Sequence, residues 1–409
     1  MKKLLQINPV VKLNTSTGRI MKEIGELAIA SGWESYIAYS KGRDGVPAHT
    51  SKLVPIGNKL DLLLHWLATR LFDAHGLASS RATRQFIRQI REIDPDLIHI
   101  HNVHGYFLNY RILFRYLASC GKPVVWTAHD CWLFTGHCYH YSAACCNKWK
   151  TGCGHCPQKH AFPTSWLLDR SRHNWRVKRD ALTGPAHTTF VGVSDWMRGE
   201  MAQSFLAHQP LLTIHNGIDL KVFRPVLTDT VLAKYALEGK TVLLGIASIW
   251  LKEKGLEDLA KLAGMLEGNE RLVLVGRMTD EQRKALPSTV KVIGRTSDVN
   301  ELAALYTAAT VLVNPTWQDN YPTVNLEAIA CGTPVVTYRT GGSVESITER
   351  TGRIVEQGDV QGLLSAIREI ESAGKQAFLG PCREYALAHF SKEDRYKDYI
   401  QLYENLTTR

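Results

Sequence analysis

No run of about 18 consecutive apolar residues occurs in the 409-residue sequence, so no helix in it is expected to span a membrane. An export leader is also lacking. The opening MKKLLQINPVV carries two lysines, but Gln6 and Asn8 break its apolar stretch and no small-residue cleavage site follows, so it reads as a first buried strand. Without such a leader, nine cysteines point to a reducing compartment, where thiols are more often buried, catalytic or metal-bound than paired. A cytoplasmic location is expected. Aromatic residues interleaved with basic ones are missing too, which argues against a nucleic-acid partner despite a net charge of +10.

The composition, 44% hydrophobic and 22% charged, is that of a soluble globular protein. The length suggests two domains of roughly 150 to 200 residues. Charge is uneven: residues 1–215 hold 26 Lys and Arg against 14 Asp and Glu, and the rest hold 23 against 25. A basic half of this kind suits an anionic partner such as phosphate or a membrane surface.

Short β-branched runs alternate with helical patterns from end to end. The first series is LLQIN (4–8), SYIAYS (35–40), LIHIH (97–101), PVVWTAH (123–129), TTFVGVS (188–194) and LLTIHNG (211–217). The second is TVLLGIAS (241–248), RLVLVG (271–276), VKVIG (290–294), ATVLVNP (309–315), PVVTY (334–338) and GRIVE (352–356). Two such series predict an α/β protein of two doubly wound, Rossmann-like domains with parallel sheets. The expected limits are 1–222, including a Cys-rich insert at 130–160, then 223–390, and a terminal helix at 391–409 that returns to the first domain. Ligands of open α/β sheets bind beyond the carboxyl ends of strands, so the two sheets are expected to face across a cleft.

The stretch WQDNYPTVNLEAIACGTPVV (317–336) sets Asp319 in a loop after a strand and Glu327 inside a helix predicted to start near Thr323. Pro322 suits that helix start, where its missing N–H would be unsatisfied anyway. A ligand over the helix end could bond both carboxylates while free amides and the helix dipole face its phosphates.

Here the sequence resembles the retaining glycosyltransferases of family 4, with two Rossmann-like domains in the GT-B arrangement. The resemblance rests on the acidic pair separated by seven residues, the Cys-Gly-Thr-Pro-Val-Val turn and strand, Asn216-Gly217-Ile218-Asp219, Lys254-Gly255, DLIHIH (96–101), TAHD (127–130) and Gly341-Gly342. It implies that Glu327 binds the ribose of a nucleoside-diphosphate sugar and that Asp319, usually a glutamate in the family, binds the transferred sugar. It places Asn216 and Asn320 in the donor site. With Pro322 lacking an N–H, phosphate contacts pass to the amides of Tyr321, Thr323 or Val324.

The family also implies an arginine and a lysine that stabilise the leaving diphosphate. Lys254 is present, but Ser248 stands where the arginine belongs, so Lys252 or Arg19 is expected to supply the charge. Only Gly18 remains of a Gly-Gly turn near the pyrophosphate. His129, at a strand end, matches a histidine that contacts the donor sugar. Retention without a defensible nucleophile favours same-face attack, a donor phosphate oxygen taking the acceptor proton. Asp94-Pro-Asp96 reads as a turn, and no catalytic metal is expected.

Six of the nine cysteines fall in residues 130–160. Cys138, Cys146, Cys153 and Cys156 have the spacing of a structural zinc site in a loop otherwise too polar to bury much, with Cys145, His137 and His155 as alternative ligands, and disulfides or free buried thiols as the alternative to a metal. The segment resembles an insert in family 4 enzymes of capsule, colanic-acid and O-antigen pathways, which implies a saccharide or polyprenyl-diphosphate-linked acceptor. The stripe Leu60, Leu63, Leu64, Leu67 and Leu71 with Trp66 reads as core-facing, or as a surface helix on an anionic membrane face. The rival functions are a sugar-nucleotide epimerase or phosphorylase on the same fold, and a zinc-dependent nucleic-acid-binding protein.

Overall fold

The computed structural model describes residues 1–12, 15–41, 50–185 and 187–408. They form two compact units, Met1–His215 with Tyr396–Arg409, and Asn216–Arg395. The division falls before Asn216, not at 222, because the chain crossing there belongs to the second unit. Ile218 N donates to Phe390 O (2.8 Å) and Lys392 N to Ile218 O (3.1 Å), and a Cβ on Gly217 would meet Lys392 Cα at 2.4 Å. The chain rejoins the first unit at Tyr396, not at 391.

The first unit holds strands β1 (Lys3–Ile7), β2 (Glu34–Tyr39), β3 (Lys52–Pro55), β4 (Leu97–Ile100), β5 (Val124–Ala128), β6 (Thr188–Gly192) and β7 (Leu211–Thr213). They form one parallel sheet in the order β3-β2-β1-β4-β5-β6-β7. Its helices are α1 (Ser16–Ala30), α2 (Lys59–Phe72), α3 (Ser80–Ile93), α4 (Tyr110–Cys120), α5 (Ser171–Leu182) and α6 (Asp195–Ala202). The second unit holds α7 (Asp229–Tyr235), β8 (Thr241–Ile249), α8 (Leu256–Ala263), β9 (Glu270–Arg277), α9 (Asp280–Ala285), β10 (Lys291–Ile293), α10 (Val299–Ala308), β11 (Val311–Asn314), α11 (Thr323–Ala330), β12 (Val335–Tyr338), β13 (Gly352–Val355), α12 (Val360–Ala373) and α13 (Gln376–His389). Its parallel sheet runs β10-β9-β8-β11-β12-β13. Each sheet reverses direction of winding beside its first strand, at β1/β4 and at β8/β11, which makes those the switch points.

Burial explains the apolar runs. Every residue of β4, β5, β6, β11 and β12 is buried, as expected where helices cover both faces of a parallel sheet. The final helix α14 (Lys392–Thr407) packs Tyr396, Tyr399, Ile400 and Tyr403 against Leu4, Ile24, Leu97 and Val125 of the first unit. Polar bonds fix its register: Tyr403 OH meets His99 Nδ1 (2.6 Å), and Tyr399 OH meets Thr127 Oγ1 (3.0 Å).

Two expectations are corrected. Leu60, Leu63 and Leu64 of α2 are 61%, 52% and 55% exposed, so the stripe does not face a core. The buried face of α2 is polar: His65 accepts from Gly76 N (3.0 Å), Thr69 donates to His65 O (3.0 Å), and Asp73 just past the helix accepts from Arg170 N (2.8 Å). The Cys-rich insert, in turn, buries far more than expected. Trp132, Phe134, Tyr141 and Trp149 belong to the main core of the first unit, with Trp149 packed at a tilt 4.9 Å from Phe134 and 4.8 Å from Tyr141 between ring centres.

Candidate functional site

At the switch point of the second sheet, the loops after β8 and β11 are tied together by backbone bonds. Trp317 N donates to Glu253 O (2.8 Å), Thr316 Oγ1 to the same oxygen (3.2 Å), and Trp317 Nε1 to Asp258 Oδ2 (2.8 Å). Gly255 makes this approach possible: its φ is +73°, and a Cβ there would lie 2.1 Å from Pro315 O. The loops therefore meet with Lys254 beside Asp319, Nζ to Oδ2 at 2.6 Å. Gly255→Ala is expected to cost on the order of 3 kcal/mol, from the left-handed backbone and the clash together. It should also lower transfer activity by displacing Lys254, and denaturant unfolding beside a turnover assay reads both.

Asp319 Oδ1 also accepts from Tyr321 N (3.3 Å), so the amide expected to meet phosphate already has a carboxylate against it. Pro322 is the cap residue before α11, not its first helical residue, and no side chain caps that helix end. The first-turn amides of Thr323 and Val324 thus lie beyond a cap that offers them no side-chain acceptor. Asn320 and Tyr321 are both buried. Lys252 and Ser248 are exposed.

Glu327 is buried on α11, and Tyr306 OH of α10 donates to its Oε2 (2.8 Å). That bond fixes the carboxylate's rotamer and uses one of its oxygens. Burial first, and then the Glu327 charge, push the Tyr306 phenol far above its ordinary range, so Tyr306 stays a donor. Between the two carboxylates, Asn325 accepts from Asn314 Nδ2 (2.8 Å) and donates to Ser343 (3.2 Å), holding α11 on the end of β11. Tyr306 was not legible as a site residue, being one aromatic in an apolar helix. Asn325 was missed as well, although a lone amide on the buried side of a short helix is the signal that could have found it.

In the first unit, strand ends gather a line of polar groups. Gln6 Oε1 meets His101 Nε2 (3.0 Å), and His101 Nδ1 meets His129 Nε2 (3.2 Å), so the glutamine that broke the opening apolar run anchors a pair of stacked histidines. The packed surroundings push His129 down to about 4, which keeps its ring neutral near pH 7. Asp130 holds its own loop, accepting from Trp132 N (2.9 Å) and pairing with His104 Nε2 (2.7 Å). Gly18 is bound up in the start of α1: its N–H donates to Thr15 Oγ1 (3.2 Å), and a Cβ would meet Lys12 O at 2.3 Å. Arg19 follows it, half-buried. Asn216 opens the second unit beside the Gly217 crossing. Asp94 and Asp96 form a turn, paired with Lys122 Nζ (2.9 Å) and Lys3 N (2.7 Å).

Cys138, Cys146, Cys153 and Cys156 line one small cavity, and all four are free thiols. No helix among the described residues is long and apolar enough to cross a membrane.

Comparison with known proteins agrees with this geometry. WcaC of Escherichia coli K12, a candidate colanic acid biosynthesis glycosyl transferase, is 24% identical over 425 residues, covering 98% of this chain and all of the relative. Among solved structures, a sucrose-phosphate synthase from Thermosynechococcus elongatus superposes with a TM-score of 0.75 at 19% identity, covering 100% of both chains. Anabaena HepE in complex with UDP-glucose superposes with a TM-score of 0.70 at 16% identity, covering 99% of this chain and 100% of that one. Residues 240–372 match the family Glycosyl transferases group 1, and residues 17–222 match Glycosyltransferase Family 4. With half its length matched by that family, the protein belongs to glycosyltransferase family 4.

Proposed function

We propose that the protein moves a hexosyl group, with retention of anomeric configuration, from a nucleoside-diphosphate sugar to a saccharide acceptor carried on a polyprenyl diphosphate, in bacterial surface polysaccharide synthesis. The observation that carries this reading is the Lys254–Asp319 pair at the switch point, with Glu327 one helical turn further on. A diphosphate over the end of α11 would meet the Lys254 ammonium and the helix dipole, leaving Asp319 for a sugar hydroxyl and Glu327 for ribose. Bond cleavage puts charge on the leaving diphosphate, which the ammonium stabilises. A phosphate oxygen of that group then takes the acceptor's proton as the acceptor attacks from the same face. His129 and Arg19 contact the donor, with Lys252 or Arg19 replacing the charge lost at Ser248. The full-length likeness to a colanic acid candidate supports the polysaccharide setting.

Incubating the protein with a panel of nucleoside-diphosphate sugars and lipid-linked saccharides tests this. The expected result is acceptor-dependent release of nucleoside diphosphate and a product whose anomeric configuration, read by NMR, equals the donor's. An inverted product contradicts retention. Donor isomerisation without acceptor indicates an epimerase, and phosphate-dependent cleavage a phosphorylase.

We also propose peripheral binding to an anionic cytoplasmic membrane face. The outward leucines of α2 support it, as does the adjoining pair Trp66 and Trp166, ring centres 5.6 Å apart with Arg70 against both. Apolar and aromatic groups beside a cation match an interface of acyl chains and anionic headgroups. Co-sedimentation with phosphatidylglycerol vesicles at low salt is expected, and Leu63→Glu with Leu64→Glu should weaken it by tenfold or more, on the order of the lost apolar transfer energy. Equal sedimentation of both proteins would remove the proposal.

A further inference from the structure

The cavity bounded by Cys138, Cys146, Cys153 and Cys156 measures about 20 Å³, the space of a single water-sized sphere. Its walls are built for close approach. Gly136 N donates to Cys153 Sγ (3.3 Å), and a Cβ on Gly136 would lie 2.1 Å from Ser171 O and 2.8 Å from Cys153 Cβ. No three of the four sulphurs lie within 4.8 Å of one another among the described residues, so a shared ligand would draw the walls inward.

Two buried groups, one lining the cavity and one behind its wall at Thr135, lack the partner that an anionic centre would provide. The Lys178 ammonium, 2% exposed, bonds only neutral carbonyl oxygens, those of Trp132 (2.5 Å) and Thr135 (2.7 Å), and lies over the Trp132 ring. No carboxylate reaches it within 4.0 Å among the described residues. A buried cation without a counter-ion is costly. The His137 ring also lines the cavity. Its Nδ1 is held by Asp73 Oδ1 (2.6 Å), while its buried Nε2 has no hydrogen-bond partner.

We propose that Cys138, Cys146, Cys153 and Cys156 bind one thiophilic divalent cation, zinc foremost, in a closed structural site whose net negative charge is met by Lys178 and faced by His137 Nε2. Four thiolates around a divalent ion carry two net negative charges, which accounts for a cation buried without an acid. Each thiol loses its proton to solvent on binding, and no redox change occurs. Asp73 follows α2 and bonds Arg170 N just before α5, so the ion would tie the insert to both helices. The site is separate from the donor loops and does not depend on the reading of them.

Elemental analysis of the full chain, purified without added metal or chelator, tests the proposal. About one zinc per chain is expected, with exchange into cobalt producing an intense thiolate-to-cobalt absorption band. Cys153→Ser and Cys156→Ser should each lower metal content at least several-fold, whereas Cys145→Ser, an exposed neighbour, should retain it. If the variants fail to fold, the cobalt band of the wild-type chain remains the readout. Less than about a tenth of an equivalent of any metal with no cobalt band, or a disulfide among these cysteines by mass spectrometry, would overturn it. Equal metal loss in Cys145→Ser would overturn the ligand set.

Discussion

Replacing Lys254 by alanine should lower turnover by about 10²- to 10³-fold, the loss found when one preorganised group is removed from developing transition-state charge. The protein should stay folded, because the Lys254 side chain is 36% exposed and such a pair contributes no more than about 1 kcal/mol to stability. The effect should fall on kcat more than on KM, since the diphosphate gains its charge only as the glycosidic bond breaks. Ser248 sharpens the expectation: with no arginine at that position, fewer cations share the load. Asp319→Ala should also slow transfer. The double variant should lose less than the sum of the two, because each single change leaves the other charge unpaired at 2.6 Å. Steady-state kinetics with a saturating acceptor, run on the four proteins, measures this coupling. Full activity in Lys254→Ala would remove the ammonium from the mechanism.

Acidification from pH 7.5 to 5.5 should destabilise the first unit by on the order of 5 kcal/mol, from the linkage of five buried histidines. His65 is pushed down to about 3 and His129 to about 4 by burial, and burial pushes His75, His99 and His101 well below their ordinary 6.5. Between those folded values and 6.5, the unfolded chain holds a proton at each ring that the folded chain refuses. Stability therefore rises with pH in that window and is lost as pH falls through it, by on the order of 1 kcal/mol for each ring at pH 5.5. His137 works the other way: burial lowers it, but Asp73 raises it further, so it offsets part of the loss. Since a domain is stable by only about 5–15 kcal/mol, the change should be plain in urea unfolding followed by amide exchange in β4. An unchanged midpoint at the two pH values would contradict it.

The sheets were legible because parallel strands buried on both faces must be near-continuous apolar runs. All twelve anticipated runs became strands. The strand missed, β3, is a short edge strand with exposed ends and a proline, where neither burial nor alternation leaves a mark. The acidic pair was legible from its spacing and Lys254 from the family resemblance, but the contact of Lys254 with Asp319 was not. It depends on Gly255 fitting under Pro315 O, a long-range approach that no local pattern encodes. Of the two readings of α2, the core-facing one fails for a related reason. Periodicity shows which side of a helix is apolar, not whether the protein or something outside it lies there. The rival stripe of His65, Thr69 and Asp73 has the same helical spacing and is the one that meets partners. In the insert, the count of polar residues hid four aromatic side chains large enough to join the core.

Amide hydrogen exchange of the intact chain, with and without a series of nucleoside diphosphates, tests the donor site most directly. At least one of them should slow exchange across residues 252–256 and 319–328, and Lys254→Ala should weaken that protection. Tight binding that protects only other segments, or no binding by any nucleoside diphosphate, would contradict the assignment of these loops to the donor.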